Sequence, residues 1–355
     1  MSSPKAPSFA ALRRFCEQAF QNLGMSAEQA GIGADVLATT DSWGVYTHGS
    51  KCLAGYLRRL KLGGLRPGGQ PHVVAEGGAW ATVDGDSSLG LVTSVYAMRT
   101  AIRKAKEQGI AFVGVRNSCH FGAAGYYTWL AAREGLIGIS MANDIPSVAA
   151  PGSRRAITGS NPLSYAIPAG RHPPMFLDMS TATVAGGKVY AARGRGERIP
   201  DTWLLDSEGR PTSDPSIYPE SATLQPAAGH KGYGIALLIE CLSGILTGAQ
   251  FTWRVGSWMW DDGTKPTHHG AAFVVVDTAT MMPPAQFAQR MEELVDEIHQ
   301  APKADGVSRL YVPGEMEWEK HHSALKHGIP LPEDVIASLQ KAADLAGLTL
   351  DTLWQ

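Results

Sequence analysis

Ala111-Phe-Val-Gly-Val-Arg-Asn-Ser-Cys-His-Phe-Gly-Ala-Ala-Gly-Tyr-Tyr127 reads as a strand, a turn and the opening of a helix. Ala111–Val115 is a short apolar run with β-branched residues, and Asn117–Gly125 is small and polar. A helical pattern then runs from Gly125 to Glu134. Ligands of open α/β sheets gather at strand-to-helix turns of this kind. Small residues let a ligand approach the backbone, and His120 lies inside the turn; a hydrogen-bonded histidine in a tight turn is the plainer alternative. Further short runs are Trp80–Val83, Leu136–Ala142, Leu163–Ile167, Phe176–Leu177 and Ala272–Val276, with a helical pattern at Thr93–Gln108. Strands interleaved with helices give an α/β fold class.

The flanks are helical. Phe9, Leu12, Cys16, Ala19, Phe20 and Leu23 recur at helical spacing over Ser8–Leu23, which Gly24 ends. Ser26 with Gln29 forms a capping box for a helix to about Ser42. A third pattern covers Leu53–Leu62 and stops in the glycine- and proline-rich stretch Gly63–Gly69, the expected boundary of an N-terminal lobe. Helical periodicity returns at Gln286–Gln300 and Pro332–Ala346. The expected segments are therefore 1–68, 69–285 and 286–355.

Composition narrows the function classes. In 355 residues, 44% are hydrophobic and 18% charged, a globular balance. The 31 basic and 33 acidic residues give a net charge of −2 without long single-sign runs, which argues against nucleic acid or an anionic membrane as partner. Cys16, Cys52, Cys119 and Cys241 form no CxxC pair and suit a reducing compartment. With no signal-peptide core and no apolar run of membrane length, a soluble cytoplasmic protein is expected.

Two nucleotide signatures are missing. Gly31-Ile-Gly33-Ala-Asp-Val36 lacks the third glycine of a dinucleotide fingerprint and sits inside a helix, and no GxxxxGK[ST] loop exists. Other segments carry candidate chemistry. Asp41-Ser-Trp-Gly-Val-Tyr-Thr-His-Gly49 places His48 beside the hydroxyl of Thr47, and histidine is suited to give or take a proton near neutral pH. Arg154 and Arg155 lie in the turn-rich loop Pro151–Pro162. Asp178 follows an apolar run, where a carboxylate orients a histidine or a ribose hydroxyl, or caps a turn. Gly229-His-Lys-Gly-Tyr-Gly234 precedes a helix over Ile235–Leu246, and its N–H groups with Lys231 suit an anion. The doublets His268-His269 and His321-His322 lack a ligand spacing, so no metal is expected.

Taken in order, these pieces resemble the type-2 malate/L-lactate dehydrogenase family. They are Asp41–Gly49, Val83-Asp-Gly85 with Gly90, His120-Phe-Gly122, Ala150-Pro-Gly152 with Asn161-Pro162, Asp178-Met-Ser180, Lys188, Pro226 with Lys231-Gly232, and Pro313-Gly-Glu315 with Gly328-Ile329. The resemblance implies a homodimer with a non-Rossmann cofactor domain, its N-terminal helices packed against the returning C-terminal segment. It implies NAD or NADP as cofactor and a small 2-hydroxy or 2-keto acid as substrate, with hydride transfer at C2. His48 matches the proton donor and Thr47 the hydroxyl beside it, with Asp178 orienting the site. The cofactor would meet His120, Phe121, Gly122, Asp178, Met179, Ser180, Thr181, Ala182, His230, Lys231, Gly314, Glu315 and Met316. The substrate would meet Lys51 and Asn161. One position departs: the family often has arginine four residues after the histidine, to grip a carboxylate, and here Cys52 follows Lys51. Lysine is a poor copy of a bidentate arginine. Reduction of a cyclic imine carboxylate, or a silent ligand-binding role, are the alternatives.

Overall fold

Serine caps start the first two helices. Ser8 Oγ accepts from Ala11 N–H at 3.1 Å to open α1 (Phe9–Asn22), and Ser26 Oγ accepts from Gln29 N–H at 3.2 Å to open α2 (Ala27–Ser42). The box is half made, because Gln29 Nε2 reaches the Gly69 carbonyl at 2.8 Å and ties α2 to the expected boundary stretch. The later helices are α3 (Leu53–Leu62), α4 (Gly90–Gln108), α5 (Ala124–Ala132), α6 (Gly186–Arg195), α7 (His230–Ile239), α8 (Pro284–Gln300), α9 (Glu315–His327) and α10 (Glu333–Ala346). The computed structural model describes residues 6–354; residues 1–5 and Gln355, the outer ends of the first and last expected segments, lie outside the described residues.

The strands are β1 (His72–Glu76), β2 (Trp80–Asp84), β3 (Ile110–Ser118), β4 (Leu136–Ala142), β5 (Val148–Ala149), β6 (Ala156–Thr158), β7 (Leu163–Ala169), β8 (His172–Met179), β9 (Leu204–Asp206), β10 (Pro211–Thr212), β11 (Ala222–Leu224) and β12 (His269–Asp277). Seven form one sheet in the order β1-β2-β3-β12-β4-β7-β8. Only β2 and β3 run parallel within it, so this is not the parallel sheet of a Rossmann fold.

Period-two alternation sorts the sheet's side chains. Ala111, Val113, Val115, Ala271, Phe273 and Val275 join the main core with α4 and α5. Phe112, Ile139, Met141 and Ala272 point the other way, onto Ile239 of α7 and Leu242. The helix expected over Ile235–Leu246 begins at His230 and continues past Ile239 as a π-helical stretch, Glu240–Ile245.

The N-terminal helices do not own a separate core. Leu12, Phe20, Leu37 and Leu57 belong to the same buried cluster as the sheet and as Leu339 of α10. From the C-terminal segment, α9 meets α2, and α10 meets α1 and α3, whereas α8 packs on β7. A second sheet, β10-β9-β11-β5-β6, has its own small core of Val148, Val189, Leu204 and Leu224. Its strands of two or three residues are too short for a periodic signal, so the sequence shows only loop there.

Candidate active site

The turn after β3 borders a cavity of about 1240 Å³, together with segments far apart in sequence. Its wall includes Thr47 and His48 after α2, Asp144 after β4, Asp178 near the end of β8 and Ser180 just after it, Gly186 and Gly187 at the start of α6, Trp258, and Gly314 and Met316 at the start of α9.

The turn carrying His48 is built from below. Asp41, at the end of α2, is buried, and its Oδ2 accepts from Ser50 N–H at 2.9 Å. Gly49 must be glycine, since a Cβ there would stand 1.8 Å from Asp41 Oδ1. Burial lifts the Asp41 carboxyl to about 7, against the hydrogen bond from Ser50. His48 Nδ1 lies 2.9 Å from Thr47 Oγ1. Burial lowers the His48 pKa from its ordinary value, and the charge of Asp144 opposes the shift. The imidazole is thus mostly neutral at pH 7.

His120 is chemically different. Tyr56 Oη lies 2.7 Å from its Nδ1. Burial raises the Tyr56 hydroxyl well above its ordinary pKa, so it keeps its proton and can donate to Nδ1; in that arrangement the proton of neutral His120 sits on Nε2. Burial also drives the His120 pKa down to about 3, against the pull of Asp144. His120 is therefore a neutral group on the cavity wall near pH 7. Trp258 stacks on His120 with ring centres 4.4 Å apart, Tyr56 lies 5.1 Å from Trp258, and His48 lies 5.7 Å from His120. The cavity therefore has one wall of stacked aromatic rings.

Asp178 Oδ2 accepts from Gly125 N–H at 2.7 Å, tying β8 to the start of α5. Burial lifts its carboxyl to about 6, despite the hydrogen bond from Gly125. Gly314 has φ +95°, and a Cβ there would come within 3.0 Å of the Phe176 backbone.

Not every expected residue reaches the cavity. Phe121 and Gly122 do, with Ser180 and Met316, whereas Met179, Thr181 and Ala182 lie beside it without forming its wall. The Glu315 carboxylate is engaged by His299, Arg309 and Val312 N–H. His230 and Lys231 are exposed at the start of α7, away from this wall. Asn161 is fully buried behind it, donating to Glu240 Oε2 at 2.7 Å and to the Ala236 carbonyl at 3.1 Å. Lys51 borders the cavity but pairs with Asp334 at 2.6 Å. Cys52 also borders it; its Sγ lies 3.3 Å from the Thr47 carbonyl, and burial pushes its thiol up to about 12. Arg154 pairs with Glu208, and Arg155 lies over the Trp253 ring. Sequence reasoning missed Tyr56, Asp144, Trp258 and Glu317, whose isolated positions carry no pattern, and weighed His269 only as a metal ligand.

A family model described as malate/L-lactate dehydrogenase matches residues 8–340. The chain belongs to the malate/L-lactate dehydrogenase family. It is 35% identical to a malate dehydrogenase of Pyrococcus horikoshii, over 94% of this chain and 93% of that one. It is 34% identical to a ureidoglycolate dehydrogenase (NAD(+)) of Escherichia coli O157:H7, over 91% and 92%. The crystal structure of malate dehydrogenase from Entamoeba histolytica superposes with a TM-score of 0.91 at 30% identity, covering 98% and 99% of the two chains. The mixed, largely antiparallel sheet is thus this family's fold.

The donor set bears on which group the family's site would hold. Among the described residues, no three His, Cys, Asp or Glu side chains gather as a metal site. The starts of α5, α6 and α9 all border the cavity, and Gly122, Gly186, Gly187 and Gly314 leave backbone bare on its wall. Helix starts attract phosphate, an aromatic wall suits a flat ring, and Asp178 is an acceptor for sugar hydroxyls. These residues fit a nicotinamide dinucleotide. No helix of the described residues is long and apolar enough to cross a membrane.

Proposed function

We propose that this protein is an NAD- or NADP-dependent dehydrogenase that interconverts a small 2-hydroxy acid and its 2-keto acid. The observation that carries this reading is the contrast between two neighbouring histidines: one beside a hydroxyl with a modestly lowered pKa, the other held neutral by burial with Tyr56 on its Nδ1. The nicotinamide, when bound reduced, supplies the hydride that C2 receives and is left oxidised. Negative charge then builds on the C2 oxygen, and His48 gives that oxygen its proton. In the reverse direction neutral His48 takes the proton from the hydroxyl. Thr47 holds the imidazole through Nδ1. His120 donates a hydrogen bond from Nε2 without changing charge. Asp178 fixes the start of α5 and accepts hydrogen bonds from the cofactor. The cofactor rests on His120–Gly122, Ser180, Gly186, Gly187, Gly314 and Met316; the wall positions favour these over His230 and Lys231.

A homodimer accompanies this reading. Leu238, Ile245 and Leu246 on the outer side of α7 and its π-helical continuation are each more than half exposed, beside Ile235. An apolar helix face left in water marks a contact surface. Replacing Leu238 and Leu246 together by glutamate should convert a dimer to a monomer in sedimentation.

The function is tested by following oxidation of NADH and of NADPH with a panel of 2-keto acids in the presence of chelator. Turnover with at least one acid is expected. No binding of either cofactor, measured by nicotinamide fluorescence, would remove the reading.

A further inference from the structure

Asp144 and His269 form a half-buried pair that the proton-transfer scheme leaves unused. His269, at the start of β12, is 2% exposed. Its Nδ1 lies 2.9 Å from Thr267 Oγ1 and its Nε2 lies 3.1 Å from Asp144 Oδ1. That same Oδ1 accepts from Ile145 N–H at 2.8 Å. The Asp144 backbone is fixed as well, since its N–H donates to Asn161 Oδ1 at 3.2 Å, and Asn161 is held by Glu240. Oδ2 takes no hydrogen bond from the described residues, and Asp144 borders the cavity. The arrangement saturates one carboxylate oxygen and presents the other to the cavity.

Burial raises the Asp144 pKa, but the hydrogen bond and charge of His269 outweigh it and hold the carboxyl below its usual range. Its charge is felt by both His48 and His120, so it stands close to the reacting centre. The remaining charges on the wall are uneven. Asp178, Glu317 and Asp334 are carboxylates; Lys51 and Lys341 are the wall's ammonium groups, and Lys51 is taken by Asp334. No arginine is among the wall residues. One substrate carboxylate can be met by a lysine, but a second would face an acidic wall and the open oxygen of Asp144. Like charges brought together in a desolvated site repel one another with little screening. A fixed acceptor rejects any group that leaves it unpaired.

We propose that Asp144, oriented by His269, sets substrate specificity by accepting a hydrogen bond from an N–H at the far end of the substrate. The site therefore takes 2-keto or 2-hydroxy monoacids ending in an amide, ureido or ammonium group, and it excludes dicarboxylates and sulfonates of the same length. This rests on the dehydrogenase reading above.

The test compares an isosteric pair, oxaloacetate and its 4-amide, 2-oxosuccinamate, with NADH or NADPH. The expected kcat/KM favours the amide by about 10- to 100-fold, the range for a hydrogen bond to a charged group. Asp144→Asn should shrink that ratio about tenfold or more. A non-reacting pair gives a second readout: by calorimetry on the cofactor-loaded protein, succinamate should bind more tightly than succinate, and Asp144→Asn should narrow the gap. If the wild type turns over or binds the diacids as well as the amides, the inference falls while the dehydrogenase reading stands. It also falls if Asp144→Asn changes cofactor affinity and leaves the amide-to-diacid ratios as they were. If neither cofactor is oxidised with any keto acid, the dehydrogenase reading falls and takes the inference with it.

Discussion

Replacing His48 by alanine separates catalysis from architecture, and the structure gives a magnitude for each. The side chain's bond to Thr47 is exposed, and its one described aromatic neighbour is the His120 ring, 5.7 Å away. Losing such a ring pair removes about 0.5–1.5 kcal/mol. At ~2.1 cal/mol/K per residue, a chain of this length unfolds with an entropy of roughly 0.75 kcal/mol/K, so the Tm should fall by only about 1–2 °C. The chemical step should suffer far more. A positioned acid that quenches a developing alkoxide contributes about 10²–10⁴ in rate. The cofactor's contacts lie mainly on other segments, so its Kd should change less than about threefold, on the order of 0.6 kcal/mol. The pH profile should change too. In the wild type, keto-acid reduction should rise as pH falls through the depressed His48 pKa, and hydroxy-acid oxidation should fall over the same range; His48→Ala should lose both limbs. Steady-state rates with protiated and deuterated cofactor, together with fluorescence titration, provide the assay. A variant that keeps near wild-type turnover, with a full isotope effect showing chemistry to be rate-limiting, would refute the assignment. His120, with a pKa of about 3, cannot replace it near neutrality, so a bound water would be the next candidate.

Other outcomes follow from single contacts. Tyr56→Phe leaves the buried His120 Nδ1 without its hydrogen-bond partner, which costs about 1–3 kcal/mol, and the Tm should fall by roughly 1–4 °C in calorimetry. His120 binds its proton at about 3 when folded and near 6.5 when unfolded, so the unfolded chain takes up more protons between those values. Stability should therefore fall on acidification, by about 2 kcal/mol from this group between pH ~6.5 and ~5, and His120→Gln should flatten that part of the Tm–pH curve. Gly314→Ala puts a methyl group against the Phe176 backbone at a positive φ, and should cost about 1–3 kcal/mol and raise the cofactor Kd. An unchanged Tm and Kd would show that the start of α9 does not hold the cofactor.

Periodicity and capping residues were enough to place α1 to α5, β3, β4 and β12, because each spans enough residues for a pattern to register and is bounded by serine, glycine or proline. The order of small motifs identified the family, and with it His48 and His120. The sequence could not place the second sheet, whose strands of two or three residues are too short to carry a pattern of their own. It also could not tell the two histidines apart, since both lie in polar turns rich in small residues. Their difference comes from the burial that a folded cavity imposes on His120, and from its contact with Tyr56, 64 residues away. Asn161 and Asp144 make the same point. Asp144 follows β4 and Asn161 precedes β7, both strands of the main sheet, yet packing against Glu240 spends Asn161 on the scaffold, while His269, 125 residues further along, leaves Asp144 an open oxygen on the cavity wall. Local sequence determines what a segment becomes and which groups it carries. Desolvation and hydrogen-bond partners depend on neighbours that only the tertiary fold brings together, and these decide what the groups can do.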